Sequence, residues 1–136
     1  MKRVAICILA HICVIVSSCQ KSPQDLLIGT WEMSQKTTYT FYDKEVTKDG
    51  LDYYYYTFYT NGDARMVFQD SSFSYTYVFD TANNTIILFP EAVDTEVDLI
   101  VVKLTEDTLI CHTSSKALVG YTLLSTTITM NGRKIE

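Results

Sequence analysis

Residues 72–79 read SFSYTYVF, and this stretch decides the fold class. Its rings, Phe73, Tyr75, Tyr77 and Phe79, alternate with Ser72, Ser74, Thr76 and Val78. A period of two with aromatic side chains on one face is typical of a half-buried β-strand. Asn83 and Asn84 follow as turn residues, and the apolar residues 85–89 supply a returning strand. The two segments therefore predict a β-hairpin.

A second hairpin is predicted around Asn61 and Gly62. A two-residue loop would mix apolar and polar side chains on both faces. A three-residue loop of residues 60–62, with Gly62 in the left-handed position, avoids this mixing. It puts six apolar residues on one face: Tyr54, Tyr56, Phe58, Ala64, Met66 and Phe68. It also predicts an outward tyrosine row, Tyr53, Tyr55 and Tyr59, beside Arg65.

The rest of the chain downstream of Ser22 has the same strand-and-turn punctuation. Further strands are predicted near Trp31 and over residues 38–42, 96–104, 109–113 and 117 to about 129. Residues 23–28 can form one short helical turn that plugs or leads into the sheet. About eight strands joined by short loops fit either a β-sandwich or an antiparallel β-barrel. Closure favours the barrel because it removes unpaired strand edges.

The amino terminus is typical of a bacterial lipoprotein signal. Residues 16–19 (VSSC) close a short apolar stretch that follows Lys2 and Arg3. That stretch is shorter than the roughly 20 residues of a membrane-spanning helix. It predicts a cleaved signal over residues 1–18, a lipidated Cys19 with a tether over residues 19–25, and one domain over residues 26–136. The alternative is an ordinary secretory signal that is cleaved beside Ser17 and Ser18.

A lipidated Cys19 predicts attachment to the cell envelope through palmitate-type acyl chains. Gln20 stands where some bacteria use aspartate to retain lipoproteins at the inner membrane. We therefore expect the protein to be anchored in the outer membrane, on either of its faces.

The net charge of the chain is −5, and it becomes more negative by two when Lys2 and Arg3 are removed with the signal. A negative charge argues against nucleic acid as a partner.

The cysteine count argues against an internal disulfide. Of the four cysteines, Cys7 and Cys13 leave with the signal and Cys19 carries lipid, so only Cys111 remains. The fold must then be stabilised by burial alone, although its destination is oxidising.

Several short motifs, in order, resemble lipocalins. Gly29, Thr30 and Trp31 match the Gly-x-Trp that opens the first lipocalin strand, shortly after the mature start. The resemblance extends to the lipocalin-like lipoproteins of gut Gram-negative bacteria and covers nearly all of the mature chain. It continues through Phe58–Gly62, Phe73–Phe79, Thr85–Leu88 and Lys103–Leu109. The order and spacing of these motifs carry the resemblance.

This resemblance implies an up-and-down β-barrel with Trp31 sealing one end and a cavity at the other. In lipocalins a basic residue packs across that tryptophan as a cation–π pair. Arg133 is the candidate for this role, with Arg65 as the second choice. The chain is shorter than ligand-carrying lipocalins and its inward residues are bulky, so the cavity is expected to be small or absent.

No catalytic, cofactor or metal site is predicted. Cys111 and His112 are adjacent on one strand and point to opposite faces, so they cannot act as a pair. Cys111 is expected to be a small buried residue. Asp94, Glu96 and Asp98 share a face and could offer oxygen ligands to calcium. The favoured interpretation is instead a charged edge that blocks strand addition.

Two non-enzymatic functions therefore stay open. In the first, a small hydrophobic or aromatic molecule binds inside the barrel, between inward aromatic rings. The predicted lining residues are Tyr54, Tyr56, Phe58, Met66, Phe68, Phe73, Tyr75 and Tyr77. In the second, the barrel is filled, and its outer surface docks another envelope protein or a glycan, through a surface such as the tyrosine row.

Overall fold

The computed structural model describes residues 20–136, so the predicted signal peptide and Cys19 lie outside the described residues. One helix precedes eight strands: α1 (Pro23–Leu27), β1 (Gly29–Phe41), β2 (Lys44–Phe58), β3 (Asp63–Phe68), β4 (Ser71–Asp80), β5 (Thr85–Pro90), β6 (Val97–Leu104), β7 (Thr108–Val119) and β8 (Thr122–Lys134). Among residues 20–136, no helix is both long and apolar enough to cross a membrane.

The eight strands form one closed antiparallel barrel in which each strand pairs with its sequence neighbour. β8 completes the circle by pairing with β1, from Trp31 opposite Lys134 to Phe41 opposite Leu124. The alternation of apolar and polar residues suits this arrangement because successive side chains point into and out of the barrel. The all-β, up-and-down barrel expected from the sequence is confirmed, and the sandwich is excluded.

The predicted register of the hairpin around Gly62 is confirmed. Phe58 lies opposite Ala64, and the Tyr59 N–H donates to the Asp63 carbonyl at 2.9 Å. The loop therefore has three residues, and Gly62 has φ +88°. A side chain at that φ would be strained, which explains why glycine closes this loop.

Two strand predictions were wrong. The segments near Trp31 and over residues 38–42 form one strand, β1. The segment from residue 117 to about 129 is not continuous, because the chain reverses between Val119 and Thr122. Gly120 has φ +64° and makes this tight turn possible. β7 is consequently longer than expected, and β8 starts after the turn.

The tether is also shorter than predicted. Residues 23–25 belong to α1, which begins with Pro23 and is capped by Ser22. The Asp25 N–H donates to Ser22 Oγ at 3.1 Å, while Asp25 Oδ2 accepts from the Ser22 N–H at 3.3 Å. This reciprocal capping box stabilises a helix that has only five residues.

The barrel has two unlike ends. Helix α1 covers one end, which we call the capped end. The other end is set by strand length. β1, β2, β7 and β8 have 12 to 15 residues each, whereas β3 and β5 have only six, so the four long strands project beyond the short ones. β3 pairs with β2 only over residues 55–58, and β6 pairs with β7 only as far as residue 112. The four long strands thus extend as a separate sheet, which we call the arm (residues 36–51 and 114–127).

Candidate functional site

The capped end is sealed by Trp31, whose side chain is fully buried. Its indole Nε1–H donates to the Leu27 carbonyl at the end of α1, at 2.8 Å. This bond satisfies both the indole and one of the carbonyls that a helix end leaves without an internal partner. Leu27 is itself fully buried. Helix α1 therefore closes this end of the barrel and is hydrogen-bonded to it between two fully buried residues.

Lys134, and not Arg133, covers Trp31. The Lys134 Nζ lies 4.9 Å from the indole centroid and donates to the Leu26 carbonyl at 2.7 Å. The prediction for Arg133 was wrong by one position because Lys134 is the residue directly opposite Trp31 in the β1–β8 register. Arg133 therefore points outward, where its guanidinium lies 2.9 Å from Glu32 Oε1. Arg65, the second choice, donates to Ser72 Oγ at 2.9 Å on the barrel wall.

Burial lowers the pKa of the Lys134 ammonium. Desolvation lowers its pKa, the nearby Lys21 charge lowers it further, and Glu106 opposes both effects. Lys21 itself forms an ion pair with Glu106 at 3.0 Å. The residues that lead into α1 are therefore held against the capped end.

The inward aromatic residues fill the barrel. Tyr54, Tyr56, Phe58 and Tyr77 are buried. Neighbouring ring centroids lie 5.1 Å apart for Phe58 and Tyr77, 5.8 Å for Tyr56 and Phe58, and 5.9 Å for Tyr54 and Tyr56. These distances are those of directly packed rings. Four of the predicted lining residues thus pack on one another in the barrel core.

The other predicted lining residues lie towards the open end. Met66, Phe68 and Tyr75 are partly buried and pack against the core. Phe73 lies opposite Met66 but remains 45% exposed, since β4 begins at the edge where the barrel opens. None of the eight predicted residues lines any of five well-formed surface pockets of residues 20–136.

One polar atom in the interior is left without a partner. The Tyr54 hydroxyl is buried and has no hydrogen-bond partner within the described part of the chain. Desolvation raises the pKa of Tyr54, and the nearby Cys111 adds to the effect. Desolvation likewise raises the pKa of the Cys111 thiol to about 12, so this thiol stays protonated and unreactive at neutral pH. Cys111 is a buried core residue, as predicted.

Only two of the three residues of the predicted outward tyrosine row are exposed. Tyr53 and Tyr59 are exposed, whereas Tyr55 is half-buried. Tyr53 has φ +58° and lies where β2 shifts register against β1. Such a bulge turns its side chain out of line with its neighbours. The row therefore offers two separated tyrosines and no continuous surface.

The arm presents apolar residues that the sequence analysis did not single out. Its exposed large side chains are Tyr39, Phe41, Tyr42, Val46, Leu51, Leu118, Val119, Tyr121 and Leu123. Tyr42 is 70% exposed and Tyr121 is fully exposed, each in the two-residue turn at the tip of a hairpin. The sequence did contain a signal for this surface: segments 39–46 and 117–123 carry apolar residues that had not been assigned to the core.

A groove of about 490 Å³ lies at the tip of the arm, between the two turns. It is lined by Thr40, Tyr42, Asp43, Lys116, Tyr121, Thr122, Leu123 and Ser125. The pairing register brings these residues together: Thr40 lies opposite Ser125, and Ser125 lies opposite Lys116. The sequence alone could not find this groove, because it depends on β1–β8 pairing.

No metal site is found in residues 20–136. Asp94, Glu96 and Asp98 are exposed, and no group of three acidic, histidine or cysteine side chains could hold an ion there. The chain matches no protein-family model, and no curated protein or solved structure matches it either. Membership of the lipocalin-like family therefore stays a prediction from the sequence motifs.

Proposed function

We propose that this chain is a lipid-anchored, lipocalin-like protein of the cell envelope that acts without catalysis as a docking module. The observation that carries this proposal is the contrast between a filled barrel and an exposed arm. The inward rings contact one another, whereas large apolar residues on the arm are exposed among the described residues. Exposed apolar surface of this kind is typical of interaction sites. The barrel then serves as the scaffold that holds the arm.

The position of the amino terminus supports the same function. Gln20, Lys21 and Ser22 separate Cys19 from α1, and three extended residues reach at most roughly 11 Å. Acylation of Cys19 would therefore keep the capped end close to the membrane. The tip of the arm is at the opposite end of the barrel, so it would face away from that bilayer. This geometry favours a partner other than the anchoring membrane.

Acylation and location are tested together by replacing Cys19. We expect labelled palmitate to enter the full-length protein, and a C19S variant to lose both the label and the membrane fraction. A C111A variant is the control, since the buried thiol of Cys111 should not be acylated. Equal labelling of wild type and C19S, or palmitate-free protein in the soluble fraction, would contradict the anchor.

Docking is tested by placing a photo-crosslinking amino acid at Leu118 on the arm and, as the control, at Val78 on the barrel wall. Both side chains are more than half exposed. After irradiation of intact cells, we expect a discrete adduct from position 118 and none from position 78. Adducts from both positions, or from neither, would contradict docking through the arm.

A second candidate function is favoured by the unpartnered Tyr54 hydroxyl. A buried hydroxyl without a partner is unfavourable, and a small ligand that accepts its hydrogen bond would relieve this. The site would lie in the half of the barrel nearer the arm, where Phe73 and Tyr75 are less buried. Native mass spectrometry of protein from its own host should then detect a retained molecule, and a Y54F variant should lose it. Empty wild-type protein would contradict this candidate.

A further inference from the structure

The groove at the arm tip has a preorganised aromatic residue. The Tyr42 ring packs edge-on against Phe41, with the two centroids 4.7 Å apart. Thr122 Oγ1 donates to the Tyr42 hydroxyl at 2.6 Å, which connects the two hairpin turns. An exposed tyrosine usually moves freely among rotamers, and these two contacts restrict this one. A restricted ring offers a flat apolar surface with a smaller loss of conformational entropy on binding.

The backbone at this ring is unfavourable for the residues that occupy it. Tyr42 has φ +48° and Asp43 has φ +59°. A two-residue turn with two positive φ values is best formed by Asn-Gly, and a tyrosine there is strained. The turn therefore departs from the most stable sequence at the position of the exposed ring, which is typical of a functional residue.

The polar residues of the groove favour an uncharged, hydroxyl-rich ligand. Asp43 and Lys116 supply one negative and one positive side chain, so the groove has no dominant charge. Thr40, Thr122 and Ser125 add hydroxyls that can both donate and accept. Tyr121 supplies a second exposed ring at the other turn. A sugar has apolar C–H faces that can pack against the tyrosine rings, and hydroxyls that can both donate to and accept from these polar side chains. The groove therefore suits the chemistry of a sugar.

We propose that this groove binds a neutral oligosaccharide, with its sugar rings against Tyr42 and Tyr121. The groove volume of about 490 Å³ lies within the range of small-ligand sites, roughly 300 to 1,000 Å³. This inference rests on the proposed docking function and names the partner class for the same arm. A protein partner is the alternative outcome of the tests.

The test is affinity electrophoresis of the full-length protein without its signal peptide, in native gels containing laminarin, dextran, mannan or xylan. We expect slower migration in at least one of these four gels. Because the ligand is neutral, we expect the retardation to persist when the salt concentration of the gel is raised. Unchanged migration in all four gels would overturn the inference.

The sharpest variant replaces Tyr42 and Asp43 together by Asn and Gly. This change removes the ring and one carboxylate but relieves the turn, so the double variant should melt at a higher temperature than wild type. Its affinity for the retained polysaccharide should fall on the order of tenfold or more. Y59A is the matched control, since Tyr59 is exposed near the capped end and should not contribute. Unchanged binding by the double variant would also overturn the inference.

These results separate the inference from the proposed function. Crosslinking from Leu118 to a protein, with no retardation in any gel, would reject the sugar site and retain docking. Retardation that depends on Tyr42, together with an adduct from Leu118, would support both. Absence of crosslinking and of retardation would reject both.

Discussion

The capped end and the arm are made from the same two hairpins, β1–β2 and β7–β8, yet they are stabilised in different ways. At the capped end, Trp31 is enclosed by a helix, a hydrogen bond and a cation. On the arm, the same strands carry Tyr39 and Phe41 in solvent. The difference predicts that stability, which depends on the buried capped end, and binding through the arm can be altered separately.

The largest effect is expected at the capped end. A W31A variant should lose about 3 to 5 kcal/mol of unfolding free energy, because it opens a cavity in the core and removes the bond to Leu27. A Y121A variant on the arm should change stability by no more than about 0.5 kcal/mol. Urea denaturation of both variants checks the comparison. Similar losses in the two would show that the arm is part of the folding core.

The cation over Trp31 should matter less than the ring itself. A K134M variant keeps most of the aliphatic side chain but loses the cation–π contact and the bond to the Leu26 carbonyl. We expect a loss of about 1 to 2 kcal/mol. R133M is the matched control, since the Arg133 pair with Glu32 is exposed and should contribute no more than about 1 kcal/mol. A larger loss for R133M would contradict the assignment of Lys134 to Trp31.

The sequence was sufficient to predict the features that depend on local pattern. The alternation over residues 72–79 and the position of Gly62 fixed two hairpins, because pleat and turn geometry are set by neighbouring residues. The burial of Cys111 and the sealing role of Trp31 were also expected.

The features that were missed depend on long-range register or on unusual turns. The β1–β8 pairing decides whether Arg133 or Lys134 faces Trp31. This pairing joins the first and last strands of the barrel, so it cannot be predicted from a local sequence pattern. The reversal at Tyr42 and Asp43 has no glycine, so it carries no strong turn signal. Phe73 is exposed because the strands beside β4 are short. Alternation predicts which face of the sheet a residue lies on, but it does not predict how far the neighbouring strands extend beside it.

The two regions also differ in how their polar atoms are satisfied. The Tyr77 hydroxyl, near α1, donates to the Tyr59 carbonyl at 2.9 Å and accepts from Gln24 at 3.0 Å. The Tyr54 hydroxyl is buried without a hydrogen-bond partner among residues 20–136. We therefore expect Y54F to be neutral or to stabilise by about 1 kcal/mol, whereas Y77F should destabilise by about 1 kcal/mol. Opposite signs in thermal melts would confirm this difference; a clear loss in Y54F would show that its hydroxyl has a partner in solution.

The smallest effect is expected from acid on the loops of the capped end. The Asp80 carboxylate accepts from the Asn83 side chain at 2.7 Å and from the backbone N–H groups of Ala82 and Asn83. Its bonds from Asn83 lower the pKa of Asp80 in the folded state. A carboxyl whose pKa is depressed by folding stabilises the protein above its unfolded pKa, and this contribution disappears as the pH falls through the folded pKa.

The melting temperature of wild type should therefore drop as the pH falls below about 4, the ordinary pKa of an aspartate, with part of that drop missing in a D80N variant. The effect is small because Asp80 is at the surface, and Asp107, whose pKa is also lowered by hydrogen bonds from Thr105 and Thr108, contributes in the same direction. Since both loops lie at the capped end, hydrogen-exchange protection factors should fall there in acid before they fall at the arm tip. Loss of protection first at residues 40–45 would contradict the assignment of the acid-sensitive contacts to the capped end.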